Sequence, residues 1–251
     1  MKRYLKSDLI RVFSSYKIYI AAIIIAIVMN MGIGDKRSDC KSILAAFQTV
    51  AISKYMIVVY VICATVYTGT LVDDLETGYI RYQIMRGELK GYVVSKSIVT
   101  FITSVITMIS GVMLFILSNL IFMPITDTGC FEQVYVQYNF LYNNKFILLW
   151  FVLWGISIGV MIGVLTLFAM LTSLFITNKM FVLAMPALVY ELILELSTEL
   201  EKINISIFDL AWFRIDYPNN DLLEKIRGLL FTIICVIATT EIIIYKLKWR
   251  L

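Results

Sequence analysis

Long runs of apolar residues, separated by short polar segments, dominate the pattern along this chain. Runs of this kind are typical of helices that cross a bilayer, because about 20 helical residues at ~1.5 Å each cover ~30 Å of hydrocarbon. The pattern predicts an all-α integral membrane protein with about six transmembrane helices. We place the spans at about 18–34, 55–72, 97–123, 146–176, 180–196 and 229–245.

The apolar stretch from Phe146 to Leu196 is too long for one helix. Its polar break is Thr177-Asn178-Lys179, and we place a tight hairpin there between the fourth and fifth spans.

The residues before the first span, 1–17, have a pattern of their own. Apolar and polar positions alternate at helical spacing, which predicts a helix lying in the membrane interface ahead of a transmembrane domain at 18–251. The apolar face is Leu5, Leu9, Val12, Phe13 and Tyr16, and the polar face is Arg3, Ser7, Arg11 and Ser14. The run from Ile18 to Gly34 is long for a signal peptide and no small-x-small cleavage site follows it, so we expect an uncleaved anchor.

Composition and charge agree with a membrane protein. Of 251 residues, 60% are apolar and 16% are charged, whereas soluble domains carry about 25% charged residues. With the N-terminus inside, the inner segments carry a surplus of basic residues and the outer segments a slight surplus of acidic ones. The positive-inside rule then predicts a multi-pass protein of the plasma membrane with both termini in the cytoplasm.

The sequence excludes several kinds of chemistry. There is no histidine, which removes imidazole metal sites and Ser-His triads, and the four cysteines have no metal-ligand spacing. No Gly-x4-Gly-Lys-Ser/Thr loop occurs, so this chain is not expected to bind ATP itself. We predict a chain that is not an enzyme, holds no cofactor or metal, and contacts membrane lipids rather than nucleic acid.

The most informative polar segment joins the second and third predicted spans. It runs Val72-Asp73-Asp74-Leu75-Glu76-Thr77-Gly78-Tyr79-Ile80-Arg81-Tyr82-Gln83-Ile84-Met85-Arg86-Gly87, with Lys90 and Lys96 beyond it. This segment resembles the corresponding cytoplasmic loop of ABC-2 exporter permeases, in which an acid, a glycine, a short helix, a basic turn and a lysine recur in that order. Glu76, Gly78 and Lys96 match the acid, the glycine and the lysine, and Arg86-Gly87 with Lys90 stands near the basic turn. The family's Pro/Ile-Ser-Arg turn reads Gly87-Glu88-Leu89-Lys90 here.

The resemblance implies a function for this segment. Residues 77–86 would form a coupling helix that docks on an ABC ATPase, and the hairpin at 177–179 would make a second contact. ATP and Mg would be bound by two copies of that ATPase, and a second permease chain, identical or paralogous, would complete the path. The residues that the resemblance assigns to coupling are Asp73, Asp74, Glu76, Thr77, Gly78, Tyr79, Arg81, Arg86, Lys96, Asn178 and Lys179. Small permeases of this kind are similar to exporters of amphipathic peptides such as phenol-soluble modulins or lantibiotics.

Physical reasoning beside the resemblance leaves two interpretations of the segment open. A loop with balanced charges can pair specifically with a protein partner without adhering to anionic lipid. An ordinary solvated loop, stabilised by its own helix pairs, fits the spacing equally well.

A glycine face marks the fourth predicted span. Gly155, Gly159 and Gly163 recur at every fourth residue, which lets another helix approach closely. We favour packing within one subunit over a seam between two subunits.

Three acidic residues lie inside or beside predicted spans. Glu191 follows Lys179 by about 18 Å of straight helix, Glu195 continues its face, and Glu241 lies close to the inner boundary. These residues are candidates for a path that favours cationic or amphipathic cargo, and Glu241 is expected to pair with a neighbouring base. Equally, a short fifth helix kinked at Pro186 would put Glu191 in outer water.

Two further alternatives remain open. An external bridge between Cys40 and Cys130 is possible because both are placed outside. The chain could also be an ion-coupled secondary transporter or a membrane scaffold without transport activity, although no internal repeat or paired broken helices support a carrier.

Overall fold

The computed structural model describes residues 2–34, 40, 42–51, 53–85, 88–125, 146–201 and 221–250. These residues are all-helical, as the apolar pattern predicted, and contain no strand. We number the helices in chain order as α1 (Lys2–Phe13), α2 (Lys17–Ile33), α3 (Ile43–Ala51), α4 (Tyr55–Tyr67), α5 (Thr70–Glu76), α6 (Tyr79–Met85), α7 (Leu89–Asn119), α8 (Ile147–Thr172), α9 (Lys179–Glu201) and α10 (Asp221–Arg250).

Within the described residues, three helices are long and apolar enough to cross a bilayer, as expected of a membrane protein. They are Leu89–Asn119, Ile147–Thr172 and Gly228–Trp249. Two bent pairs, Tyr4–Phe13 with Lys17–Ile33 and Ile43–Ala51 with Tyr55–Tyr67, bring the number to five if each pair is one span. The part of the chain that the structure describes does not confirm the predicted count of six, since α9 is not among these helices.

The second predicted span, 55–72, is interrupted where the sequence suggested one helix. α4 ends at Tyr67 and α5 begins at Thr70, but Thr68 and Gly69 between them keep right-handed helical dihedrals. The backbone therefore stays helical from Tyr55 to Glu76. A helix of this length measures about 33 Å at 1.5 Å per residue. This path carries Asp73 and Asp74 at its end rather than in a loop.

The helix α3 was not predicted, since the sequence placed 35–54 in an outer loop. Residues 43–51 are apolar enough to bury one face completely, and Ile43, Ala46 and Phe47 are inaccessible to solvent. The Phe47 ring lies 4.8 Å from Trp154, 5.4 Å from Phe151 and 6.3 Å from Trp150, all in edge-to-face contact. The helix α3 therefore packs into the bundle instead of lying in a loop, because it has its own apolar surface to bury.

α7 begins at Leu89, eight residues before the predicted start at 97. The prediction treated Lys90 and Lys96 as markers of the membrane boundary. Lys96 instead lies inside the helix and is only 1% exposed, because other parts of the chain supply its polar partners.

The glycines of α8 face α7 of the same chain. A Cβ atom built on Gly159 would lie 2.9 Å from the Cα of Val105, and one on Gly163 would overlap the Phe101 ring. One built on Gly155 would lie 3.6 Å from the Cα of Ile109. Within the described residues this face is therefore occupied by the packing inside one subunit, in the close approach that small residues permit.

Candidate functional site

The four segments that the sequence placed on the inner side meet at one end of the bundle, which we call the loop end. It contains α1, α5, α6, the first turns of α7, the α8–α9 hairpin (173–178) and the last turns of α10. The contacts that join them are Ser95 Oγ to Asp8 Oδ2 at 3.1 Å, Lys179 Nζ to Asp73 Oδ1 at 2.7 Å, Lys90 Nζ to Glu241 Oε1 at 3.6 Å and Lys246 Nζ to the Phe175 ring centroid at 4.9 Å.

An ion pair is buried at the centre of the loop end. Lys96 Nζ lies 2.5 Å from Asp74 Oδ2, and the two side chains are 1% and 5% exposed. The Tyr92 hydroxyl donates a 2.6 Å hydrogen bond to the same carboxylate oxygen. Asp74 is on α5 and Lys96 on α7, so this pair ties the predicted coupling segment to a membrane-spanning helix.

The remaining contacts of Lys96 come from the α4–α5 junction. Its ammonium group donates to Thr70 Oγ1 at 3.1 Å, and the Thr70 hydroxyl donates to the Tyr67 carbonyl at 2.8 Å. The rings of Tyr67 and Tyr92 stand 5.3 and 5.6 Å from the charge. A buried ammonium group needs such a set of acceptors and ring faces to offset its desolvation.

α1 also contributes side chains to this cluster. Arg11 NH1 lies 3.6 Å from Asp74 Oδ1, and the Tyr4 ring meets the Tyr92 ring edge-on with centroids 6.1 Å apart. The sequence placed Arg11 on a solvent-facing polar stripe. Arg11 remains 51% exposed, and its guanidinium group reaches the buried carboxylate of Asp74 from the surface of the bundle.

A glycine turn separates the buried segment from an exposed one. Gly78 has φ +69°, which L side chains rarely adopt, and its carbonyl accepts from Arg81 N at 3.0 Å. The turn ends α5, and α6 follows it with one side exposed and the other against the core. Glu76, Thr77, Tyr79, Arg81 and Tyr82 are all exposed there, whereas Ile80 is 1% exposed and anchors α6 to the core.

The α8–α9 hairpin lies beside this segment. Asn178 caps α9, because its Oδ1 accepts from the backbone N–H of Met180 at 3.0 Å. The Lys179–Asp73 pair is partly exposed, at 47% and 37% of the two side chains. This pair joins the hairpin to α5, the helix that immediately precedes the exposed segment.

The eleven predicted coupling residues differ in their exposure and in their contacts. Asp74 and Lys96 are buried and unreachable for a partner, while Asp73 and Lys179 are paired with each other. Those exposed for contact are Glu76, Thr77, Tyr79, Arg81 and Asn178, and Gly78 forms the turn. Arg86 lies outside the described residues.

The sequence reasoning missed Asp8, Arg11 and Thr70 as members of the cluster. The available signal was Lys96 itself, because an ionisable residue on an apolar helix requires partners from elsewhere in the chain. The members of the cluster outside α7 come from α1, α4 and α5, and no local pattern identifies them.

The three acidic residues predicted for a cargo path do not form one site. Glu241 is at the loop end, where it pairs with Lys90, as expected of a charge near a neighbouring base; their side chains are 58% and 68% exposed. Glu191 and Glu195 are exposed on α9 beside Leu192 and Leu196. α9 continues through Pro186 to Glu201 as one helix, so Pro186 does not end it before Glu191.

Comparison with protein families, with characterised proteins and with solved structures finds no match for this chain. Among the described residues, no group of three or more Asp, Glu, Cys or His side chains is close enough together to hold a metal ion. The prediction of a Cys40–Cys130 bridge involves Cys130, which lies outside the described residues.

Proposed function

We propose that this chain is the membrane subunit of an ATP-driven exporter of the ABC-2 type, and that its loop end docks on a separate ATPase. The observation that carries the proposal is the buried Asp74–Lys96 pair, which links the exposed segment Glu76–Tyr82 to the spanning helix α7. A motor that grips the exposed segment would pull on α7 through this pair.

The second link runs to α9. Asp73 neighbours Asp74 on α5 and pairs with Lys179 at the first turn of α9. Displacement of α5 would therefore act on α7 and α9 together. Motion of rigid helices about such links is one of the ways in which transporters change access across a membrane.

The exposed surface suits a protein partner. Glu76 and Arg81 offer charges of both signs, and Tyr79 and Tyr82 add aromatic area, which is enriched in the centres of protein interfaces. The cargo that fits the proposal is an amphipathic or cationic peptide, supported at residue level by Glu191 and Glu195 on α9. Two permease chains would enclose the path, because one set of helices leaves little room for it.

Co-purification with ABC ATPases from the same organism tests the docking. The charge-reversal variant E76K/R81E changes only exposed side chains and leaves the net charge of the chain unchanged. We expect it to lose the ATPase that the native chain retains, while K54E, on the exposed Lys54 before α4, keeps it. Retention of the ATPase by E76K/R81E, with the inserted amount unchanged, would contradict docking at this surface.

The buried pair also favours a second candidate, an ion-coupled carrier. Paired ionisable residues inside a bundle are the groups through which carriers bind ions or protons. Proteoliposomes that hold the purified chain alone distinguish the two functions. Peptide movement driven by a proton or sodium gradient without ATPase supports the carrier, whereas transport that requires ATPase and ATP supports the exporter.

A further inference from the structure

The outward face of α1 combines basic and apolar side chains. Lys6, Ile10 and Phe13 follow one another at i, i+4 and i+7, so they share one side of the helix. All three are exposed, with Ile10 at 55% and Phe13 at 43%. A helix on the surface of a soluble protein would not present this combination beside a long apolar helix.

This face continues directly into the apolar flank of α2. Tyr16 is 71% exposed at the junction, followed by Tyr19 at 62%, Ile20 at 47% and Ile23 at 52%. α1 leaves α2 at an angle of 54°. If the flank of α2 faces lipid chains, this geometry carries Phe13 and Tyr16 to the level where chains meet headgroups.

The opposite face of α1 is fixed to the bundle. Val12 is 3% exposed, and Asp8 and Arg11 hold the helix to α7 and α5 through Ser95 and Asp74. α1 therefore cannot rotate to bury Ile10 and Phe13 without breaking these contacts. Its outward face must meet whatever surrounds the bundle at the loop end.

We propose that the outward face of α1 and the first turn of α2, with Lys6 and Lys17 as their charges, bind anionic phospholipid headgroups of the bilayer leaflet at the loop end. Lysine side chains reach the headgroup level while their stems stay on apolar surface. Each basic residue near an anionic leaflet strengthens binding about fivefold. Aromatic residues beside them sit at the same level, which is the place of Phe13, Tyr16 and Tyr19. This inference extends beyond the proposed function, since it holds whatever the chain transports.

Lipid association of the full chain, reconstituted in phosphatidylcholine bilayers, tests the proposal. Electron paramagnetic resonance compares spin-labelled phosphatidylglycerol with spin-labelled phosphatidylcholine at the protein surface. We expect a preference for phosphatidylglycerol of about fivefold if one lysine contributes and about 25-fold if both do, and a fall to near equality in the variant K6E/K17E. The preference should also weaken as salt screens the charges.

A matched control separates α1 from net charge. The variant K54E/K248E makes the same change of net charge at two exposed lysines on other elements, and we expect it to keep most of the preference. Equal association of both lipids with the native chain would overturn the proposal. So would a preference that survives in K6E/K17E, or one that both variants lose to the same extent.

Discussion

Removal of one partner from the buried Asp74–Lys96 pair should destabilise the chain far more than removal of an exposed pair. Asp74→Asn keeps an oxygen for the Tyr92 hydroxyl and for the Lys96 ammonium group, which contact the same carboxylate oxygen. It removes the negative charge opposite Lys96, whose side chain is 1% exposed. Leaving a buried charge unpaired costs about 3–5 kcal/mol. Lys96→Met should cost less, about 2–3 kcal/mol, since Asp74 retains the Tyr92 hydroxyl and the partly exposed Arg11.

The double variant D74N/K96M sharpens this prediction. With both charges gone, no unpaired ion remains, so its cost should be about 1–2 kcal/mol and the coupling between the two sites at least ~3 kcal/mol. The assay is the free energy of unfolding in mixed micelles, followed by circular dichroism as sodium dodecyl sulfate is added. Asp73→Asn, in the half-exposed pair with Lys179, is the control and should cost about 0–1 kcal/mol. A D74N variant that loses no more stability than D73N would contradict the burial of the Asp74–Lys96 pair. A double variant that loses the sum of the two single losses would contradict the coupling between them.

Three further predictions concern packing and capping. Gly159→Ala should destabilise the α7–α8 pair by about 1–3 kcal/mol, because its Cβ would meet the backbone of Val105 at 2.9 Å. Gly155→Ala should be nearly neutral, because its Cβ would lie 3.6 Å from its nearest neighbour. Similar losses for the two variants in the same unfolding assay would contradict this packing. Phe47→Ala should lower the free energy of unfolding by about 3–5 kcal/mol. Phe146→Ala, at a side chain that is 60% exposed, should lower it by under ~1 kcal/mol. Equal losses for the two variants would show that α3 is not buried. Asn178→Ala should cost about 0.5–2 kcal/mol, and Asn178→Asp, which keeps the capping oxygen, should restore most of it; no difference between these two variants would rule out the cap.

The sequence was sufficient for what depends on composition and local pattern. Uninterrupted apolar runs indicate helices whatever their neighbours are, so the all-helical fold and the hairpin near Asn178 could be predicted. Gly78 was identified through the resemblance, and its positive φ gives the physical reason for a glycine there.

Features that depend on tertiary partners could not be predicted. A lysine normally ends an apolar span, and only Asp74 and Thr70, from another helix, allow Lys96 to lie inside α7. The burial of α3 depends in the same way on Trp150 and Trp154, which are a hundred residues away in sequence. The helical path from α4 into α5 was missed at its end because Asp73 and Asp74 resemble a loop until their cationic partners are known.

Photo-crosslinking at the loop end tests directly whether an ABC ATPase docks there. A benzophenone amino acid at Tyr82, 63% exposed on α6, is compared with the same residue at Tyr55, 44% exposed at the opposite end of the α4–α5 path. We expect the benzophenone at Tyr82 to crosslink to an ABC ATPase in native membranes, with a yield that ATP changes. The benzophenone at Tyr55 should give no such product. Absence of an ATPase adduct at Tyr82, together with labelling of that position by membrane-impermeant reagents from outside the cell, would contradict this docking.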